Sequence, residues 1–214
     1  MRIEVDQVEH RYGRSSQPAM VDLSHTFEPG SFTVVTGTSG SGKSTLMYVL
    51  ALMLTPSAGQ IRWDARDVHA LPDAERSRLR AKHVGFVFQD AVLDLSRTAL
   101  DNVLEAAWLA GMRLDDAAER ANQLIERFGV AHRAGHLPGE VSGGQAQRIA
   151  LCRALVKNPE LVFADEPTGN LDSASADAVW SALGEAADAG ATVVVATHDQ
   201  ARAESAPNTV RLSA

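Results

Sequence analysis

Nine consecutive residues have the types and the spacing to hold a phosphorylated ligand. Gly37-Thr38-Ser39-Gly40-Ser41-Gly42-Lys43-Ser44-Thr45 fits G-x-x-x-x-G-K-[ST] at every fixed position. Glycines at 37, 40 and 42 permit backbone conformations that a Cβ would forbid, so successive N–H groups can turn inward around phosphate oxygens. The N-terminus of a following helix adds its partial positive charge. Lys43 is long enough to reach β- and γ-phosphates, and the Ser44 hydroxyl can supply one ligand to a Mg²⁺ that otherwise keeps its waters. The glycine spacing differs from G-x-G-x-x-G, which argues against a dinucleotide fold.

Ser142-Gly143-Gly144-Gln145 is a second glycine-flexed turn, leading into a helical stretch from about Ala146 to Val156, and so a second potential anion site. An ordinary serine N-cap would account for Ser142 but not for both glycines. Four more polar residues stand at the ends of apolar runs. Gln89 follows Val84 to Phe88, Asp165 and Glu166 follow Leu161 to Ala164, and His198 follows Thr192 to Thr197. In phosphate-loop enzymes an Asp in such a place holds Mg²⁺. That leaves Glu166 free to polarise an attacking water as general base. A His at the carboxyl end of a central strand points into the crevice where open α/β sheets bind ligands. Gln89 is either simple loop polarity or a neutral oxygen near the metal or the attacking water. Tyr12, in the turn His10 to Gly13, is either a surface aromatic or a platform for a nucleobase.

Elements that could position these residues follow from the apolar pattern. Phe32 to Thr36 reads as a strand before the phosphate loop, and Leu46 to Leu54 as a helix, apolar on all sides, that Pro56 stops. Upstream, strands are expected over Arg2 to Val8 and Val21 to Phe27, with a polar loop over Gly13 to Met20. Downstream come a short strand at Gly59 to Trp63 and a charged, exposed helix from Pro72 to about Lys82. Strands 84–88, 161–164 and 192–197 are apolar runs of the buried, parallel kind. Residues Thr98 to Phe128 switch to helical spacing with a break at Gly111. Pro167 to Asp172 is a turn before a helix of small residues, Ser173 to Ala187. His132 and His136 lie four apart, but Gly135 and Pro138 argue against a regular helix there and no Cys or Asp joins them, so they read as loop histidines rather than metal ligands.

Bulk properties narrow the function. With Lys+Arg 20 against Asp+Glu 27 the net charge is −7, and no basic block stands out to track a nucleic-acid backbone. The 214 residues are enough for one domain with a substantial core. The longest apolar run falls far short of the ~20 residues that span a bilayer, and no signal-peptide core opens the chain. A cytoplasmic location is therefore expected. The lone Cys152, in an apolar helical run, reads as a small buried residue in a reducing compartment.

These motifs, in this order, resemble the ATP-binding cassette family over essentially the whole chain. Gly37 to Thr45 looks like its Walker A loop, Gln89 its Q-loop glutamine, Val141 to Gln145 its signature, and Leu161 to Asp165 its Walker B strand. Glu166 is similar to its catalytic glutamate, Leu171-Asp172 to its D-loop, and His198 to its switch histidine, while Tyr12 falls where the family stacks adenine. The resemblance implies an α/β P-loop NTPase core with a mainly parallel sheet, an N-terminal antiparallel β portion and a helical subdomain. The core would be 1–88 and 159–214, the subdomain about 89–158. It implies ATP and Mg²⁺ as cofactors, with Glu166, His198 and Gln89 in catalysis and Ser44, Gln89 and Asp165 around the metal. The nucleotide would be held by Tyr12, the phosphate loop, and Ser142 to Gln145 and Asp172 of a second subunit in a head-to-tail dimer. The family couples this dimer to integral-membrane permease subunits, which would hold the chain at the inner face of the membrane. Two positions depart from the signature: Val141 replaces the usual Leu, and Ala146 a longer polar residue. With the sequence ending at Ala214, soon after the histidine strand, no regulatory C-terminal domain is expected. Segments 84–89 and 167–172 resemble the subgroup for lipoprotein release, macrolide and peptide export, and cell division, so mechanical signalling is the alternative to transport. A nucleic-acid ATPase would need long heptads or two cassettes, and the chain has neither.

Overall fold

The computed structural model describes residues 1–13, 19–169 and 171–212. Residues 14–18 of the expected polar loop, Asn170 of the turn before Asp172, and the last two residues lie outside them. In chain order the elements are β1 (Ile3–His10), β2 (Met20–Phe27), β3 (Phe32–Thr36), α1 (Lys43–Leu50), β4 (Ala58–Trp63) and β5 (Arg66–Asp67). Then follow α2 (Asp73–His83), β6 (Val84–Val87), α3 (Ala99–Leu109), α4 (Leu114–Arg127) and α5 (Gly143–Leu155). The chain continues with β7 (Leu161–Asp165), α6 (Ser173–Asp188), β8 (Thr192–Ala196), α7 (Gln200–Glu204) and β9 (Asn208–Arg211).

Two sheets result. One is antiparallel in the order β2-β1-β4-β5, and the other runs β6-β7-β8-β3-β9 with its pairs parallel. This is the expected α/β architecture. The central parallel strands are buried along nearly their whole length, which is why they appear in sequence as unbroken apolar runs. Alternation sorts each strand's side chains to two faces. In β7, Leu161 and Phe163 join the core around α1 and the antiparallel sheet, while Val162 and Ala164 join the core shared with α3, α4, α5 and α6. Helix α1 packs on the parallel sheet and touches β2, so it is covered from both sides. Its Leu46, Met47, Val49 and Leu50 are buried.

Three differences from the sequence reading concern boundaries. Helix α1 ends at Leu50, not Leu54, because Leu52 turns left-handed (φ 60) and the N–H groups of Met53 and Leu54 both close on Tyr48 O, at 2.8 and 3.1 Å. The local turn stops the helix before Pro56 can. Helix α5 begins at Gly143, so both glycines of the second turn are helical. The strands β5 and β9 and the helix α7 are too short or too polar to show a periodicity of their own.

Candidate nucleotide-binding site

The order β6-β7-β8-β3 brings four strand ends together at one edge of the parallel sheet. Gln89 follows β6, Asp165 ends β7, His198 follows β8, and the phosphate loop follows β3. They border a cavity of about 510 Å³, within the usual range for small-molecule sites. The loop contributes Ser39, Gly40, Gly42, Lys43, Ser44 and Thr45 to its wall, and Gln89, Glu166 and His198 close the other side.

Gly42 caps α1 in a left-handed conformation (φ 88, ψ 13). A Cβ there would lie 2.3 Å from Ala19 O, so both the dihedral and the space require glycine. No side chain caps α1, which leaves its first-turn N–H groups available to a ligand. Lys43 lies back across the loop, its Nζ donating to Gly37 O at 2.9 Å and Thr38 O at 3.2 Å. Tyr12 is half-exposed and does not line the cavity. It reaches it through Thr45, whose Oγ1 shares a hydrogen bond with the Tyr12 hydroxyl at 3.2 Å, and its ring meets His10 edge-on at 4.7 Å.

Asp165 is only 3% exposed, and its Oδ1 has no hydrogen-bond partner among the described residues. Burial pushes this carboxyl above its ordinary range and the adjacent Glu166 adds to the effect, while hydrogen bonds from Ser44 and Tyr48 and the Lys43 charge oppose it. Glu166 leaves the strand in a left-handed conformation (φ 46), with its N–H donating to Ala196 O at 2.8 Å. That is a strained backbone for a residue with a Cβ, and it turns the side chain toward the cavity. Glu166 Oε2 accepts from Thr197 Oγ1 at 3.2 Å and from His198 Nδ1 at 2.9 Å. The glutamate is thus held from two sides, once by a buried hydroxyl and once by an imidazole that is 73% exposed.

The turn 142–145 is built differently. Ser142 Oγ accepts from Gln145 N at 3.3 Å and Gln145 Oε1 accepts from Ser142 N at 3.0 Å, a complete capping box. None of the four residues lines the 510 Å³ cavity. Asp172 likewise caps its own helix, accepting from Ser175 N and Ser175 Oγ, each at 2.9 Å. The backbone bond to Ser175 is the leading reason that its carboxyl titrates below the usual range. His132 meets Gln145 at 3.4 Å, and no group of three or more His, Cys, Asp or Glu side chains converges among the described residues.

Three residues at the site escape a reading of the sequence. Thr197 reads there only as the end of a strand. Tyr48 reads only as part of an apolar helix, yet it acts on the Asp165 carboxyl, opposing the rise that burial causes. Gln147 is 4% exposed and donates through Nε2 to Phe88 O at 2.9 Å and Pro167 O at 3.2 Å. A signal for it exists: it sits in phase with the buried Ala150, Leu151 and Ala154 of α5, where a polar residue needs a partner.

A strand, an open phosphate loop, a buried helix and, two strands away in the same sheet, a strand end bearing an acidic pair define a nucleotide-binding cassette. The family model described as ABC transporter matches residues 20–169, and the chain belongs to that family. It is 42% identical over 192 residues to the lipoprotein-releasing system ATP-binding protein LolD of Myxococcus xanthus, covering 89% of this chain and 86% of LolD. It is also 42% identical over 205 residues to the macrolide export ATP-binding/permease protein MacB of Rhodopseudomonas palustris. That match takes in 96% of this chain but only 31% of MacB, so the chain spans about a third of the length of that relative. Among solved structures, the ATP-binding cassette MJ0796, a dimer in a post-hydrolysis state bound to ADP and Pi, superposes with a TM-score of 0.92. It is 31% identical, and the match covers 99% of this chain and 94% of that one. LolD and MacB, by their names, fall in the lipoprotein-release and macrolide-export subgroup that segments 84–89 and 167–172 resemble.

Proposed function

We propose that this chain binds and hydrolyses ATP as one half of a head-to-tail pair, and so powers a separate membrane permease that exports or extracts a lipoprotein, peptide or antibiotic-like substrate. The observation that carries this reading is one cavity bordered by both an uncapped phosphate loop and a held carboxylate, Glu166. Phosphates entering it would take the free N–H groups of α1 and draw Lys43 away from Gly37 O and Thr38 O. A divalent cation fits beside them. The buried, unpartnered Oδ1 of Asp165 and the Ser44 hydroxyl are hard oxygen donors, and Gln89 adds a neutral one. When bound, Mg²⁺ would neutralise charge on the β- and γ-phosphates. Glu166 would accept the proton of the attacking water, with Thr197 and His198 holding its carboxylate in line.

Pairing is supported by the two glycines of the second turn. Neither has a positive φ, a Cβ at Gly143 would meet nothing within 4 Å, and one at Gly144 would make only 3.7 Å contacts. The fold of one chain therefore needs neither, whereas a second subunit's nucleotide approaching this backbone would need both. Permease contact is supported by the loop after Gln89. Val92 (φ 45) and Leu95 are 61% and 74% exposed there. Arg153 holds the loop through Ala91 O (2.9 Å) and Val92 O (2.6 Å), and Asn102 grips Asp94, Arg97 and Thr98. Among the described residues no helix is long and apolar enough to cross a membrane. Such a contact would hold the chain at the cytoplasmic face.

The test is Glu166→Gln. It should retain ATP binding while turnover falls at least ~10²-fold. Hydrolysis within a few-fold of wild type would remove Glu166 from this role.

A further inference from the structure

We infer that Gln147 is a positioning residue for hydrolysis, tying the N-terminal part of α5 to the two segments that carry Gln89 and Glu166. This deepens the proposed function and rests on that reading. The Gln147 side chain is buried, and its single amide nitrogen donates to two backbone carbonyls far apart in sequence. Phe88 O immediately precedes Gln89, and Pro167 O immediately follows Glu166. Gln147 itself lies five positions after Ser142, on the same rigid helix. One NH₂ group therefore joins three parts of the site: the signature turn, the residue beside the metal and the residue beside the attacking water.

Its setting favours a strut over ordinary packing. A primary amide has two N–H bonds that diverge, so it can serve two carbonyls at once, which no hydroxyl can do. Gln147 also lines a second, smaller cavity of about 130 Å³ between Gln89, Gly143, Pro167 and Leu171. The three segments are thus not packed face to face at this point, and their spacing depends on the amide bridge. Glu166 is already held in a left-handed conformation, so a relaxation of Pro167 would be felt next door. Misplacing a reacting group by about 1 Å can cost ~10²-fold in rate.

The experiment uses the full chain with Mg²⁺ and ATP, comparing Gln147→Met, which keeps the volume without a donor, and Gln147→Glu, which keeps the shape and sets an oxygen against two carbonyl oxygens. Turnover is normalised to the folded, ATP-binding fraction. Gln147→Met should lose about 10- to 100-fold in kcat while its ATP Kd moves less than about threefold, and Gln147→Glu should lose more. In a Glu166→Gln background, Gln147→Met should add less than about threefold, because residues acting through one another are not additive. A kcat for Gln147→Met within about twofold of wild type would overturn the inference, as would a parallel loss of kcat and ATP affinity, or a fully multiplicative loss in the double variant. Undiminished turnover by Glu166→Gln alone would end both this inference and the hydrolytic reading. Normal Gln147→Met beside a silent Glu166→Gln would end only this one.

Discussion

The two glycine-rich turns, 37–45 and 142–145, look alike in sequence and differ in how their helices are capped. At the first, Gly42 is forced by its φ and by the Ala19 carbonyl, no side chain closes the helix, and Lys43 covers loop carbonyls that phosphate would release. At the second, Ser142 and Gln145 close the helix completely, and the two glycines answer no demand made within the chain. An uncapped N-terminus is prepared to bind by itself. A capped one with glycines that its own fold does not require is, in the proposed pair, the face that the partner's nucleotide would approach.

The largest expected effect isolates the first turn. Lys43→Ala removes the charge on the β- and γ-phosphates and should weaken ATP binding on the order of 10²-fold by equilibrium titration. Unchanged affinity would mean that the loop amides do the binding alone. Ser142→Arg should instead leave ATP binding intact and abolish turnover. Mixing it with inactive Lys43→Ala should restore about a quarter of wild-type activity, since random pairing gives half mixed dimers, each with one intact composite site. No rescue at concentrations where pairs form would return Ser142 to the role of a simple cap. A smaller effect belongs to Tyr12. Tyr12→Ala should lose ~1–3 kcal/mol of ATP affinity if the ring stacks on the base. Tyr12→Phe should lose ~1 kcal/mol or less, the worth of the Thr45 hydrogen bond, so equal affinities for the two variants would dismiss stacking. The smallest effect sharpens the contrast most. Gly143→Ala should raise folding stability by about 0.5–1 kcal/mol in a denaturation curve, because the helix gains alanine and the added Cβ meets nothing, yet lower turnover in the pair. Gly42→Ala should do the reverse to stability.

Much of this is readable in the chain because the central strands are apolar runs ending in polar residues, and β-sheet order converts those ends into neighbours. Gln89, Asp165, Glu166, His198 and the phosphate loop are found by position alone, and the cavity gathers all but Asp165 into its wall. What sequence conceals are contacts made at a distance. Thr197 looks like any β-branched strand residue until Glu166 is seen against it, and Gln147 like any helix residue until two carbonyls 59 and 20 positions away are seen to need it. The early end of α1 is hidden because apolar residues continue past the helix: Ala51 and Leu52 are buried although no longer helical. Asp172 reads in sequence as a nucleotide contact, and within one chain its carboxylate serves Ser175.

Cys152 supplies a use that has nothing to do with ATP. It is fully buried on α5, and burial pushes its thiol up to about 12, so in the native state it should ignore alkylating reagents. Being the chain's single cysteine, it can react only when the packing of α5 against its neighbours opens. The rate of its modification is therefore a built-in clock for that opening, readable by mass spectrometry without any label being introduced.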